Sequence, residues 1–235
     1  MGRARTDHHG QATVYPVQRK NGHLSGYKRR NDASDHTTMG YLCDEGLEYL
    51  GEERDSSRTA VSLKLCFHRA FAGEGEIVQE SPLVRPALAV YESDPQAFRG
   101  RAERGMSLLQ NEVDAQAAET QRTLGLKALR VGLAVSCDWG EATQAHYRKV
   151  NLESLRRHFP DLTEDDIYCV WEPLAFAHWV CYRSKAYAND PRFRKDHVLH
   201  VIDMGGHTTN VCTVWVTWGK GGLPRMFLVG KQKGE

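Results

Sequence analysis

Three apolar runs in the second half of the chain each stop at a polar residue, and helix-length segments lie between them. LRVGLAVS, residues 129 to 136, gives way to Ser136-Cys137-Asp138; IYCVW gives way to Glu172; VLHVID ends on Asp203. Runs this short, rich in Val and Ile, read as buried strands. DWGEATQAHYRKVNLESLRRHF, between the first two, is helical in composition, with Asp138 or Gly140 as its start and Pro160 as its stop. Glu172 and Pro173 mark a turn, and LAFAHWVCYR then reads as an apolar helix with Pro in its first turn. TTNVCTVWVTW forms a hairpin with VLHVID, and RMFLVG offers one more strand. The order helix, strand, helix, strand, helix, strand, strand predicts an α/β layered core rather than a sandwich or a bundle.

Upstream the pattern is less regular. Residues 97 to 122 read as a helix with Met106, Leu109, Val113 and Ala117 on one stripe. Punctuation by GEGE, SP, RP and SDP predicts loop with short elements over residues 73 to 95. YLCDEGLEYLG suggests a short hairpin, and TAVSLKLCF suits a strand or a packed helical turn. The first thirty or so residues are basic and polar, with too little apolar content to offset ordering entropy, and read as a flexible tail.

Composition excludes several partner classes. With 31 basic and 30 acidic side chains in 235 residues, no global charge favours nucleic acid or an anionic membrane. No stretch approaches the roughly 20 apolar residues that span a bilayer, and the opening segment lacks the apolar centre of a signal peptide. The six cysteines fall singly, without a CxxC pair, which suits reduced thiols and a cytoplasmic location. His197 and His200 sit three apart on a strand and so face opposite ways, against a metal role. Cys137 reads as a buried strand-end thiol, and the five tryptophans read as packing residues.

Asp203, Glu172 and Ser136-Cys137-Asp138 all fall at strand ends, where open α/β sheets gather ligands. Asp203 is followed by Gly205 and Gly206, whose backbone N–H groups can approach phosphate oxygens, and by the hydroxyls of Thr208 and Thr209. The same residues also suit a plain hairpin with Asp as turn former, so the hairpin alone leaves both readings open.

A resemblance bears on the choice. IDMGGHTTN resembles the second phosphate motif of the actin and Hsp70 ATPase superfamily, Asp-x-Gly-Gly-Gly-Thr-x-Asp. VWEPLAFAHWV resembles that family's Asn-Glu-Pro-x-Ala-Ala segment, and LRVGLAVSCDWGEATQAHYRKV the segment before it. YLCDEGLEYLGEERDSSRTAVSLKLCF is similar to the Lys-containing stretch of divergent, fungal-type Hsp70-like proteins. The resemblance implies a ribonuclease-H-like fold, incomplete here: a polar basic tail over 1–40, a first-lobe region over 41–197, and the start of the second lobe with its phosphate hairpin over 198–235. It implies ATP or ADP with Mg as cofactors. Asp203 would hold Mg through water, Glu172 would orient the attacking water, and Lys64 would contact the transferred phosphoryl group. Gly205, Gly206, His207, Thr208 and Thr209 would cradle phosphate.

The family pattern is broken where His207 replaces its third glycine and Asn210 its last Asp, and residues 1 to 40 supply no first phosphate hairpin. The chain also stops before the family's adenosine segment. The expectation is therefore a truncated nucleotide-binding domain with weak or lost ATP hydrolysis, or else a non-catalytic pseudo-ATPase remnant that serves as a scaffold for a protein partner. Open strand edges near VCTVWV and RMFLVG predict poor solubility, and high soluble yield as a monomer with a cooperative melt would count against it.

Overall fold

In a computed structural model of the chain, one residue, Ser62, both ends a strand and caps a helix. The structure describes residues 2–6, 12–16, 39–43, 46–49, 60–76, 78, 81–125, 130–183, 190–204, 209–218 and 224–234. Strands β1 (Gly2–Thr6) and β2 (Ala12–Pro16) pair antiparallel, where the sequence reads only a tail. β-Branched and aromatic residues in ATVYP supply the strand tendency that a polar average hides. β3 (Met39–Cys43) lies between β4 (Gly46–Tyr49) and β5 (Ala60–Ser62) in an antiparallel sheet, so the expected YLCDEGLEYLG hairpin is present.

TAVSLKLCF divides into both of its readings. After β5 the Ser62 hydroxyl accepts from the Leu65 N–H at 3.3 Å and opens α1 (Leu63–Phe71). Among residues 73 to 95 the expected short element is a helix, α2 (Arg85–Ser93). Its Pro86 sits in the first turn, where the missing N–H costs no hydrogen bond. α3 (Pro95–Leu124) follows, started by Asp94, which accepts from the Ala97 N–H at 2.9 Å, and ended by Gly125 at φ +62°. The predicted stripe of Met106, Leu109, Val113 and Ala117 is buried. Gly105 lets α1 approach, since a Cβ there would stand 3.0 Å from a Leu63 methyl group.

β6 (Val131–Val135) and β7 (Ile167–Trp171) run parallel, joined through α4 (Glu141–Arg156). Glu172 and Pro173 form no separate turn: β7 passes straight into α5 (Glu172–Arg183), with Glu172 as its first residue. Phe67, Met106, Leu109, Leu133, Val135 and Tyr147 fill the core between α1, α3, α4 and these strands, and Val61, Leu63, Val84 and Phe98 fill a second beside α2.

β8 (His197–Met204), β9 (Thr209–Trp218) and β10 (Pro224–Gly234) form an antiparallel meander with β9 central, bulged between Leu228 and Gly230. Strand alternation divides its faces. Val201, Cys212, Val214 and Val216 pack with Ala177 and Cys181 of α5. Val198, Ile202, Met204, Trp215 and Phe227 are exposed. The expectation that the tryptophans pack holds for Trp139, whereas Trp179 on α5 and Trp215 on β9 are exposed, because no described element covers those faces.

The molecule is thus mixed α/β, built from helices and small sheets. Among the described residues no helix is long and apolar enough to cross a membrane. Among the described residues no disulfide joins Cys66, Cys137, Cys169, Cys181 or Cys212.

One acid sits inside this frame. Asp114 on α3 is fully buried, and desolvation pushes its carboxyl up to about 6; Ser154 of α4 leans toward it and lowers the value, without closing a full hydrogen bond. A carboxyl raised in the folded state costs nothing below its unfolded value near 4, and its penalty grows until the pH passes about 6. Asp114→Asn is expected to stabilise the protein at pH 7 by up to about 3 kcal/mol and to leave it unchanged near pH 4, as read by denaturant melts at both pH values.

Candidate functional site

Lys64 lies in the first turn of α1, one residue past Leu63, which anchors the helix in its core. Its ammonium reaches the Glu172 carboxylate, Nζ to Oε1 at 2.5 Å, although the residues are 108 apart in the chain. Both side chains are mostly shielded, 16% and 27% exposed, so water screens the pair less than it would at the surface. Glu172 also starts α5, where the helix's positive end favours a carboxylate.

The second Glu172 oxygen accepts from Asn210 Nδ2 at 3.2 Å. Asn210 is 1% exposed, and its Oδ1 accepts from the Ser136 hydroxyl at 2.8 Å and from the Cys137 N–H at 3.2 Å. A line of polar contacts therefore runs from α1 through the head of α5 and β9 to the end of β6.

Asp203 stands opposite Asn210 in the β8–β9 register. Burial pushes its carboxyl above the usual range, and the negative charge of Glu172 adds to the effect while Lys64 opposes it. Asp203 thus lies within electrostatic reach of both partners. Lys64, Glu172 and Asp203, the three candidates for the chemistry, are brought together at the carboxyl ends of β6, β7 and β8, where strand ends and a helix start converge.

Gly205, Gly206, His207 and Thr208 lie outside the described residues. Thr209 opens β9 and pairs with Met204. Among the described residues no group of three or more His, Cys, Asp or Glu side chains could hold a metal ion on its own. His197 and His200 make local contacts: the His197 ring meets the Lys195 carbonyl at 2.7 Å and His200 the Thr213 hydroxyl at 2.9 Å. Cys137 is buried at the strand end, as its sequence position predicts.

Two features escaped the sequence reading. Asn210 looked only like a lost charge; its buried place on an alternating strand was the available signal, but its partners lie 38 and 74 residues away. The other is His68, fully buried on α1, with Nε2 3.4 Å from Glu76 Oε2 and Nδ1 3.4 Å from Asp138 Oδ2. Glu76 accepts from the Gly140 N–H at 3.1 Å and the Thr143 hydroxyl at 3.0 Å, and so closes the first turn of α4. Burial works against its ionisation, but hydrogen bonds from the Gly73 backbone, Thr143 and Gly140, with the His68 charge, hold the carboxyl below the usual range.

Compared with models of known protein families and with curated proteins, the chain matches none.

A carboxyl held above its normal range beside a second acid destabilises the folded state once ionised, so the cost of Asp203 grows as pH rises from its unfolded value to its raised folded one and is constant above that. Asp203→Asn is expected to raise the melting temperature at pH 7, with the gain fading in acid; a lower melting temperature at both pH values would contradict this.

Proposed function

We propose that the chain is an Hsp70-like nucleotide-binding domain of the actin and Hsp70 ATPase superfamily that binds ATP or ADP with Mg and hydrolyses it weakly or not at all. The supporting observation is the meeting of Lys64, Glu172 and Asp203 from three distant segments at neighbouring strand ends, with Gly205 and Gly206 following Asp203 closely in the sequence. Chance proximity of an ammonium and two shielded carboxylates is a weak explanation, because perturbed charge clusters at strand ends are the usual marks of a ligand site.

The residues fit the group they would hold. Asp203 and Glu172 repel each other, which a divalent ion would relieve, and Lys64 offers an ammonium to a phosphate. Bound Mg-ATP supplies the phosphoryl group and most of the charge neutralisation. In this reading Asp203 would hold Mg through water, Lys64 would bind the phosphoryl oxygens, and Glu172 would orient a water molecule. The Lys64–Glu172 pair competes with both roles, with phosphate for the ammonium and with water for the carboxylate. That mutual engagement is the physical reason for slow hydrolysis. The lack of a disulfide among the described cysteines suits a cytoplasmic setting.

The exposed apolar side of the meander favours a second reading, in which the domain is a pseudo-ATPase that acts by binding a protein partner. Thermal melts with and without millimolar Mg-ATP separate the two. A stabilisation of several degrees that Asp203→Ala abolishes is expected for a native-state ligand at this site. No shift in the unsubstituted protein would remove the nucleotide reading.

A further inference from the structure

The Asn210 side chain meets both Glu172 and the end of β6. The orientation of its amide follows from its neighbours. The Cys137 N–H can only donate, so Oδ1 faces it; an ionised Glu172 can only accept, so Nδ2 faces that carboxylate. An Asp of the same shape would keep the contacts to Ser136 and Cys137, lose the donor to Glu172, and set a third negative charge beside Glu172 and Asp203.

We infer that Asn210 is a positioning residue that holds Glu172 against Lys64, and that in the nucleotide-free protein its neutral amide makes the lysine ammonium, rather than a divalent ion, the cation that balances Glu172. The inference rests on the reading of these residues as one ligand site. It assigns the site a resting, self-closed state in which Lys64 is engaged by the protein's own acid.

The test uses the full chain without nucleotide, as the unsubstituted protein, Asn210→Asp and Asn210→Ala. Acetylation of Lys64 is followed by mass spectrometry against the exposed Lys149 and Lys195, and melting temperature is followed against added MnCl2. Lys64 labelling is expected to rise several-fold in Asn210→Ala, which releases Glu172 without adding charge, while Mn2+ stabilises Asn210→Asp clearly more than either other protein. Lys64 labelling in Asn210→Ala no higher than in the unsubstituted protein means that the amide does not hold Glu172 against Lys64, and that result overturns the inference. A Mn2+ response in Asn210→Asp no larger than in Asn210→Ala overturns it too. If Asn210→Asp is unfolded without metal, refolding on Mn2+ addition supports the inference and its absence overturns it. No arm contains nucleotide, so loss of the ATP reading, seen as no Mg-ATP shift in the unsubstituted protein, is a separate result.

Discussion

A buried amide, together with helix α5, joins the two halves of the described structure. The parallel β6–β7 unit with α1, α3 and α4 forms one packed body, and the β8–β10 meander packs on α5 with its own apolar cluster. Apart from α5, which touches both sets of strands, the described link with defined chemistry is Asn210, reaching Ser136, Cys137 and Glu172 at once. A buried amide with its donors and acceptors satisfied contributes about 1 kcal/mol per neutral bond and roughly twice that to a carboxylate, whereas an orphaned partner costs a similar amount. The apolar clusters give each half its stability; the polar line fixes how β9 meets the end of β6.

That line also sets the electrostatics. Two carboxylates on separate elements, Glu172 and Asp203, share one ammonium, so the folded cluster holds an excess of negative charge in a partly desolvated place. Hydrophobic packing would be served as well by apolar side chains at these positions, since breaking even in a shielded ion pair takes good geometry on both sides. Here Lys64 and Glu172 achieve it, whereas burial and the charge of Glu172 work against the ionised form of Asp203.

The strand-helix order was legible from Val131 to Trp218 because buried strands announce themselves as unbroken Val, Ile and Cys runs, and because the stripe through Met106, Leu109, Val113 and Ala117 has helical period. The segment 73 to 95 is loop with one short helix, as expected, but the place of that helix was hidden because Pro86 and Pro95 open helices here, and proline marks an interruption and a first turn with the same letter. Strand β7 running directly into α5 was hidden for the same reason, since Glu-Pro suits a turn and a helix start equally. Lys64, Glu172 and Asp203 were legible only as motif positions. Their meeting, like the roles of Asn210 and His68, depends on contacts between residues far apart in the chain, which no local pattern encodes.

Lys64 carries one ammonium and has two claimants: Glu172 within the protein, and any phosphate that enters. A ligand that must first break a shielded ion pair binds with its intrinsic affinity reduced by the fraction of molecules in which the pair is open. The tighter Asn210 holds Glu172, the smaller that fraction and the weaker the apparent binding. The penalty is not fixed, however, because anything that shifts β9 relative to β6 moves Asn210 with it and loosens Glu172. The outer side of the same meander carries Val198, Ile202, Met204 and Trp215 exposed to solvent. The apolar face and the polar cluster thus lie on opposite sides of one three-stranded sheet, with β8 and β9 carrying residues of both.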